Sequence, residues 1–356
     1  MLLLCVPAAI VLKYAAPQHP LMLFAVSCLA IIPLAGWLGR ATEELSERTS
    51  ESVGGLLNAA FGNAAELIIA LVALRNGHYD IVKASLTGSI IGNILLVLGA
   101  SFLIGGLKYK HQRFSPAIAR NQTTMLTLAA LALIAPMGYH QFAARDSATD
   151  VEHGHDLSLA IAIIMLLTYG LSLVFSLRTH KQLFSTTDAH APHAPHPQTW
   201  SIARATVVLL VATAFIAWIS EFLVGSVEHA AQELGMTSVF VGVIVVAVIG
   251  NAAEHSTAIV MALKDRMQLS LGIAIGSSLQ IALFVAPVLV IASRFIGGNG
   301  PMDLNFTPPE VVAVAASVLI IEQIATDGES NWLEGAQLLS VYAIIALVFY
   351  YLPARH

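Results

Sequence analysis

Eleven apolar runs, most of them about twenty residues long, constrain this chain more than any other feature. They lie at 2–16, 20–39, 53–74, 84–107, 115–142, 157–177, 202–225, 237–263, 269–293, 309–326 and 334–352. A helix of that length crosses a hydrocarbon layer of about 30 Å. Only 11% of residues are charged and 57% are hydrophobic, where a soluble domain carries roughly a quarter charged residues. The length therefore counts membrane crossings rather than soluble domains, and the expected fold is an all-α membrane protein with about 11 transmembrane helices. The net charge of -5 excludes a nucleic-acid partner. Cys5 and Cys28 stand in separate apolar runs, which suggests neither a disulfide framework nor a CxxC metal site. The opening MLLLCVPAAIVLKYA lacks the basic region of a signal peptide and is read as a short first span.

One linker interrupts the runs. The stretch at 180–200, which ends in TTDAHAPHAPHPQTW, is rich in proline, alanine and histidine and cannot form a packed helix. It separates 20–179 from 201–356, with 1–16 as a leading helix. Its histidines His180, His190, His193 and His196 read as solvated groups more readily than as a metal site or pH sensor. Orientation follows from the basic residues on alternate loops. Eleven of the 17 fall on the side of the N-terminus, among them Arg40, Arg48, Lys108, Lys110, Arg113, Lys264 and Arg266. That bias places the N-terminus and the linker in the cytoplasm, and the short N-terminal lead points to a prokaryotic cell membrane.

The two halves repeat each other. GNAAE stands at 62–66 and again at 250–254, an offset of 188. Gly88-Ser89 and Gly276-Ser277 keep that offset, as do Gly54 with Gly242 and Ala70 with Ala258. The first motif lies on the third run and the second on the eighth. An odd number of spans between them reverses direction across the membrane, so the repeat is inverted, the architecture in which secondary transporters hold substrate near the bilayer midplane.

Glu66 and Glu254 lie well inside apolar runs, where an acid costs about 2.5 to 3.5 kcal/mol on insertion scales. A lone intramembrane Glu can be a protonated group bridging two helices. Two at symmetry-related positions, each preceded by the same four residues, point instead to a shared site. The Gly and Ala residues of each motif let helices approach closely. Asn63 and Asn251 stand three residues before each acid, on nearly the same face of a continuous helix. Two carboxylates and several neutral oxygens suit calcium, which takes about six to eight oxygen ligands in flexible geometry. The absence of soft ligands from the motifs argues against copper and disfavours zinc. With the metal gone, two neighbouring carboxylates in a low dielectric cannot both stay ionised. Protons and calcium then compete for one set of oxygens, which couples their fluxes as antiport.

His255 follows Glu254 where the first repeat has Leu67. It relays a proton or senses pH, or else merely contacts a helix, since it points about 100° away from the acid. Asn93, Gln280, Ser89 and Ser277 are polar groups inside spans and read as outer partners of the site or as helix bridges. Glu43, Glu44, Glu221 and Glu228 at span edges form either a funnel that concentrates cations or solvated helix ends. Asp327, Glu329 and Glu334 are expected on the opposite membrane face from Glu43 and Glu44.

Together GLLNAAFGNAAELIIALVALRNG from Gly55, GSIIGNILLVLG from Gly88, VIGNAAEHSTAIVMALKDRM from Val248, IAIGSSLQIALF from Ile273 and DGESNWLEG from Asp327 resemble the calcium/proton exchanger (CAX) branch of the calcium:cation antiporters, over nearly the whole chain. The resemblance implies one leading helix and two inverted five-helix repeats. It also implies low-affinity calcium export driven by an inward proton gradient, with Glu66 and Glu254 as the essential acids and no cofactor beyond the transported Ca2+ and H+. The linker departs from the family pattern: where many members carry an acidic segment, this one has only Asp188. Sodium- or potassium-coupled exchange and manganese preference are the alternatives within transport. An intramembrane enzyme is disfavoured by the lack of HExxH or a nucleophile paired with a base, and a channel by single acids in place of rings.

Overall fold

A computed structural model describes residues 2–49, 51–142, 148–182, 200–296 and 300–352. The linker histidines at 190, 193 and 196 lie outside these residues. The helices are α1 (Cys5–Ala15), α2 (Pro20–Ser46), α3 (Glu51–Phe61), α4 (Ala64–Arg75), α5 (Tyr79–Tyr109), α6 (Pro116–Phe142), α7 (Ala148–Val174), α8 (Ile202–Glu233), α9 (Ser238–Gly250), α10 (Ala252–Leu263), α11 (Met267–Ile296), α12 (Pro308–Ile324) and α13 (Trp332–Tyr351). Each apolar run of the sequence has become one of these helices, or a broken pair in the case of α3–α4 and α9–α10. Among the described residues seven helices are long and apolar enough to cross a membrane, and the α9–α10 pair, bent by 61°, makes an eighth if it is one span. Length and composition thus count seven or eight crossings where the runs gave eleven, because α1 and α12 are short and α3–α4 is interrupted.

Burial separates central from peripheral helices. In α5 and α11, 72% of the most apolar window is buried inside the protein, against 22% in α7 and α13. The peripheral pair turns Leu167, Leu171, Ile344 and Leu347 outward, as lipid-facing helices do. A second apolar cluster joins α1, α2 and α8 through Ile31, Leu34, Leu38, Ile216, Ile219 and Leu223. Its small residues, Ala30, Ala35 and Ala212, let the long helices α2 and α8 lie close along their length.

α5 fixes the relative direction of the repeats. It begins just after α4 ends, and its far end reaches α10, where Lys108 Nζ and Tyr109 Oη both bond to the Leu263 carbonyl at 2.8 and 2.9 Å. The C-terminal ends of α4 and α10 therefore sit at opposite ends of one 31-residue rod. Two short strands, β1 (His111–Arg113) and β2 (Glu329–Asn331), pair antiparallel with Gln112 opposite Ser330. That pairing corrects one expectation. Asp327 and Glu329 share the face of Lys108 and Arg113, the side to which the charge count also assigns Glu43 and Glu44. The sequence count had placed them across the membrane.

The chain leaving the linker is pinned to α2. Trp200 is buried, stacks on Trp37 at 5.4 Å between centroids, and lies 4.9 and 4.7 Å from the guanidinium groups of Arg40 and Arg204. Its N–H donates to Glu44 and its carbonyl accepts from Arg48. Ser201 then caps α8 by accepting from the Arg204 N–H.

Candidate ion-binding site

Both GNAAE motifs sit at breaks between helices, not inside continuous ones as the sequence reading assumed. Asn63 has φ -107° and ψ 34°, and Asn251 has φ -92° and ψ 9°, outside the helical range. Gly-Asn is a poor pair for a helix interior, and the chain restarts as α4 and α10 with Glu66 and Glu254 each in the first turn. The helix dipole at that end favours a negative charge.

The two half-helices meet N-terminus to N-terminus. A Cβ added to Gly250 would lie 3.4 Å from Glu66 Oε1, and one added to Gly62 would lie 3.0 Å from Gln280 Oε1. Each motif's glycine therefore makes room for a polar side chain of the other half.

A belt of hydrogen bonds joins the halves. Ser277 Oγ lies 2.7 Å from Asn63 Oδ1 and 2.8 Å from Glu254 Oε2. Asn93 Nδ2 donates to Ser277 Oγ at 3.0 Å and faces Asn251 Oδ1 at 3.4 Å. Asn251 Nδ2 donates to Ser89 Oγ at 2.9 Å, and Asn63 Nδ2 donates to Gln280 Oε1. His255 Nε2 lies 3.1 Å from Asn93 Oδ1, an acceptor, so this ring nitrogen carries the proton. Asn63, Ser89, Asn93, Asn251, Ser277 and Glu66 are buried, while Glu254, His255 and Gln280 are half-buried. Thus the structure brings together all nine residues named for the site and its surround. The helix breaks also expose backbone carbonyls nearby. Asn58 O accepts from Gln280 Nε2, and Ala247 O from Asn251 Nδ2.

The four edge acids do not form one funnel. Glu43 is exposed and Glu44 is buried at the Trp200 end of α2. Glu221 and Glu228 lie near the other end of α8, where Glu221 meets Arg75 and Asn76 and Glu228 meets His78.

Among the described residues the central helices are closed on one side of the belt and meet no such closure on the other. A Cβ on Gly88 would fall 1.9 Å from the Val243 carbonyl oxygen, and one on Gly242 would fall 2.8 Å from the Ala84 Cβ, so α5 and α9 touch backbone to backbone. The twins of Gly88 and Ala84 behave differently. Among the described residues nothing lies within 4 Å of a Cβ on Gly272 or Gly276.

Among the described residues no three His, Cys, Asp or Glu side chains converge as a resident metal centre would need. Among the described residues neither Glu66 nor Glu254 forms an ion pair. The arrangement offers two carboxylates ringed by amide, hydroxyl and backbone oxygens.

A family model described as sodium/calcium exchanger protein matches residues 19–178 and again 204–351. The chain belongs to the sodium/calcium exchanger family. A Ca(2+)/H(+) antiporter of Synechocystis sp. is 48% identical over 348 residues, which span 93% of this chain and 91% of that one. The Ca(2+)/H(+) antiporter ChaA of Bacillus subtilis is 47% identical over 332 residues, spanning 93% and 92%. Among solved structures, native YfkE superposes with a TM-score of 0.81 at 44% identity, over 98% of this chain and 97% of that one. The H+/Ca2+ exchanger CAX shares the fold at a TM-score of 0.71 and 18% identity, over 98% and 90%. The resemblance to the calcium/proton exchanger branch is borne out.

Proposed function

We propose that this exchanger is a secondary antiporter that moves cytoplasmic Ca2+ out against H+ by alternating access, with Glu66 and Glu254 as the residues that bind both. The observation that carries the reading is the meeting of two half-helix N-termini, each bearing one glutamate, inside a belt of neutral oxygens. Two carboxylates balance one divalent cation, and the amides, hydroxyls and broken-helix carbonyls supply the remaining oxygens that calcium takes. The names of the relatives from Synechocystis and Bacillus agree with calcium and protons as the exchanged pair.

Ser277 gives the proton side a geometry. Its one hydroxyl proton cannot serve both Asn63 Oδ1 and Glu254 Oε2. When it is donated to Asn63, the contact with Glu254 is favourable only if that carboxyl carries its own proton and donates it to Ser277. This conformer is then the proton-loaded site, with its polar groups bonded to one another. Calcium entering displaces the proton and turns the Ser277, Asn63 and Gln280 oxygens toward the metal. The crossing at Gly88 is closed, while among the described residues nothing meets a Cβ on Gly276, an asymmetry that supports alternating access with the cytoplasmic side open here. The orientation used is the one with N-terminus and linker in the cytoplasm of a prokaryotic cell.

Calcium uptake into proteoliposomes under an imposed pH gradient tests this reading, with sodium and potassium gradients as controls. Uptake should follow the pH gradient. Uptake that ignores it, or that follows sodium or potassium, refutes proton coupling.

A further inference from the structure

The two half-helices that carry the acids end in the same turn but are held differently. α4 closes with Gly77 at φ +79°, and α10 with Asp265 at φ +60°. Both turns pair the same backbone groups: Gly77 N with Leu74 O and His78 N with Ala73 O, then Asp265 N with Ala262 O and Arg266 N with Met261 O. The left-handed conformation suits glycine and costs an L-residue energy. The second repeat accepts that cost, and the Asp265 side chain is used. Its Oδ1 accepts from Gln112 Nε2 at 2.9 Å, and the same Nε2 donates to Ala262 O at 2.9 Å.

Gln112 belongs to the first repeat, lies on β1 and is 1% exposed. Gly105 admits it, since a Cβ there would sit 1.9 Å from Gln112 Oε1. With Lys108 and Tyr109 on Leu263 O, three side chains of one short segment grip the last carbonyls of α10. The twin end lacks this grip on its carbonyls and is tied to α8 instead through side chains at its rim, Arg75 and Asn76 with Glu221 and His78 with Glu228. Phe114-Ser115-Pro116 recurs as Phe306-Thr307-Pro308, which aligns Gln112 with Leu304, a fully buried aliphatic residue. Among the described residues no side chain bonds to the carbonyls of Ala73 or Leu74. Ala262 lies two turns beyond Glu254, about 12 Å along a rigid helix, so a fixed end fixes the acid.

We propose that Gln112, held by Asp265, is a positioning residue that bolts α10 to the opposite repeat, so that Glu254 is the stationary ligand of the ion and Glu66 the movable one. This rests on the reading of Glu254 as an ion ligand. The fixed carboxylate meets the incoming cation in place, and the half-helix free of the bolt adjusts around it.

The test uses full-length protein in proteoliposomes, with calcium-dependent thermal stabilisation in detergent as a readout of binding alone. Gln112→Leu copies the twin, and Asp265→Gly removes the acceptor while relieving the backbone. Both should raise KM for calcium about tenfold, the fold-change expected for a hydrogen bond to a charged acceptor, with maximal rate changed less than about twofold and the melting shift weakened in parallel. Asp265→Asn keeps an acceptor oxygen and tolerates the left-handed turn, so it should restore wild-type KM. An Asp265→Asn variant as impaired as Asp265→Gly, or wild-type KM in Gln112→Leu, overturns the proposal. If Gln112→Leu does not insert, the two Asp265 variants decide alone. Wild-type protein that binds calcium but shows no pH-driven uptake refutes the antiport reading, and the melting shifts of the variants still decide the role of Gln112.

Discussion

On the proposed alternating-access reading, the glycine pair Gly88 and Gly276 allows the inward-outward equilibrium to be pushed either way by one methyl group. In Gly88→Ala the new Cβ would stand 1.9 Å from the Val243 carbonyl oxygen, roughly 1.5 Å short of the 3.4 Å at which ordinary contact begins. The obstacle is backbone, so α5 and α9 must part. Overpacking of this kind costs about 1 to 3 kcal/mol, which shifts a two-state population by about five- to a hundredfold. Gly276→Ala meets nothing within 4 Å among the described residues and costs little in this conformer. If the halves exchange roles, it costs as much in the other, and this conformer gains by the same factor. The assay is maleimide labelling of single cysteines at the twin positions, Gly272→Cys from the cytoplasmic side and Ala84→Cys from the outside, with Cys5 and Cys28 replaced by alanine. Gly88→Ala should speed labelling at 84, and Gly276→Ala should suppress it while 272 stays reactive. Both substitutions should slow calcium exchange, because each disfavours one end state. Labelling shifts of the same sign for both would refute alternation between these two crossings.

Glu66→Gln and Glu254→Gln should each abolish pH-driven calcium uptake while the protein still inserts and folds; near-normal uptake in either removes the shared site. Ser277→Ala deprives Glu254, Asn63 and Asn93 of a common partner, a loss of about 1 to 3 kcal/mol. Its KM for calcium should therefore rise between five- and a hundredfold, as measured by uptake at graded calcium. Trp200→Ala empties the stack between Trp37, Arg40 and Arg204 and should lower stability by about 3 to 5 kcal/mol. An unchanged thermal unfolding midpoint in detergent would show that this anchor does not hold α2 to α8.

Much of this architecture could be read from hydropathy, because lipid leaves an apolar run of twenty residues little choice but a helix. The candidate site was legible for a different reason. Buried glutamates are costly, and a common offset of 188 made Glu66, Glu254, Ser89 and Ser277 stand out together. The breaks at Asn63 and Asn251 were not legible. Neither motif contains proline, and a Gly-Asn pair lowers helix stability without forbidding it, so only the tertiary meeting of the two ends decides the matter. Nor did the sequence reveal Gln112 or Asp265. A glutamine beside basic residues in a short loop reads as solvated, and its burial comes from β1 pairing with a strand more than 200 residues away. The edge acids were left between two readings for a related reason. Span counting gives each a face but cannot show that Glu221 is already engaged by Arg75 and Asn76.

Both central helices widen into a π-type turn directly beside the belt, at Gly92–Val97 and Ile281–Val285. Such a turn accommodates one residue more than an α-helical turn. The two halves place their amide one position apart around it. Asn93 aligns with Ile281, and Gln280 aligns with Gly92. At the candidate site the two repeats thus differ by a single step of winding. On the proposed alternating-access reading, a carrier built this way is not a mirror image of itself at the two ends of its cycle. Its empty form then has different free energies facing in and facing out, so the driving gradients act on a machine that already has a preferred resting side.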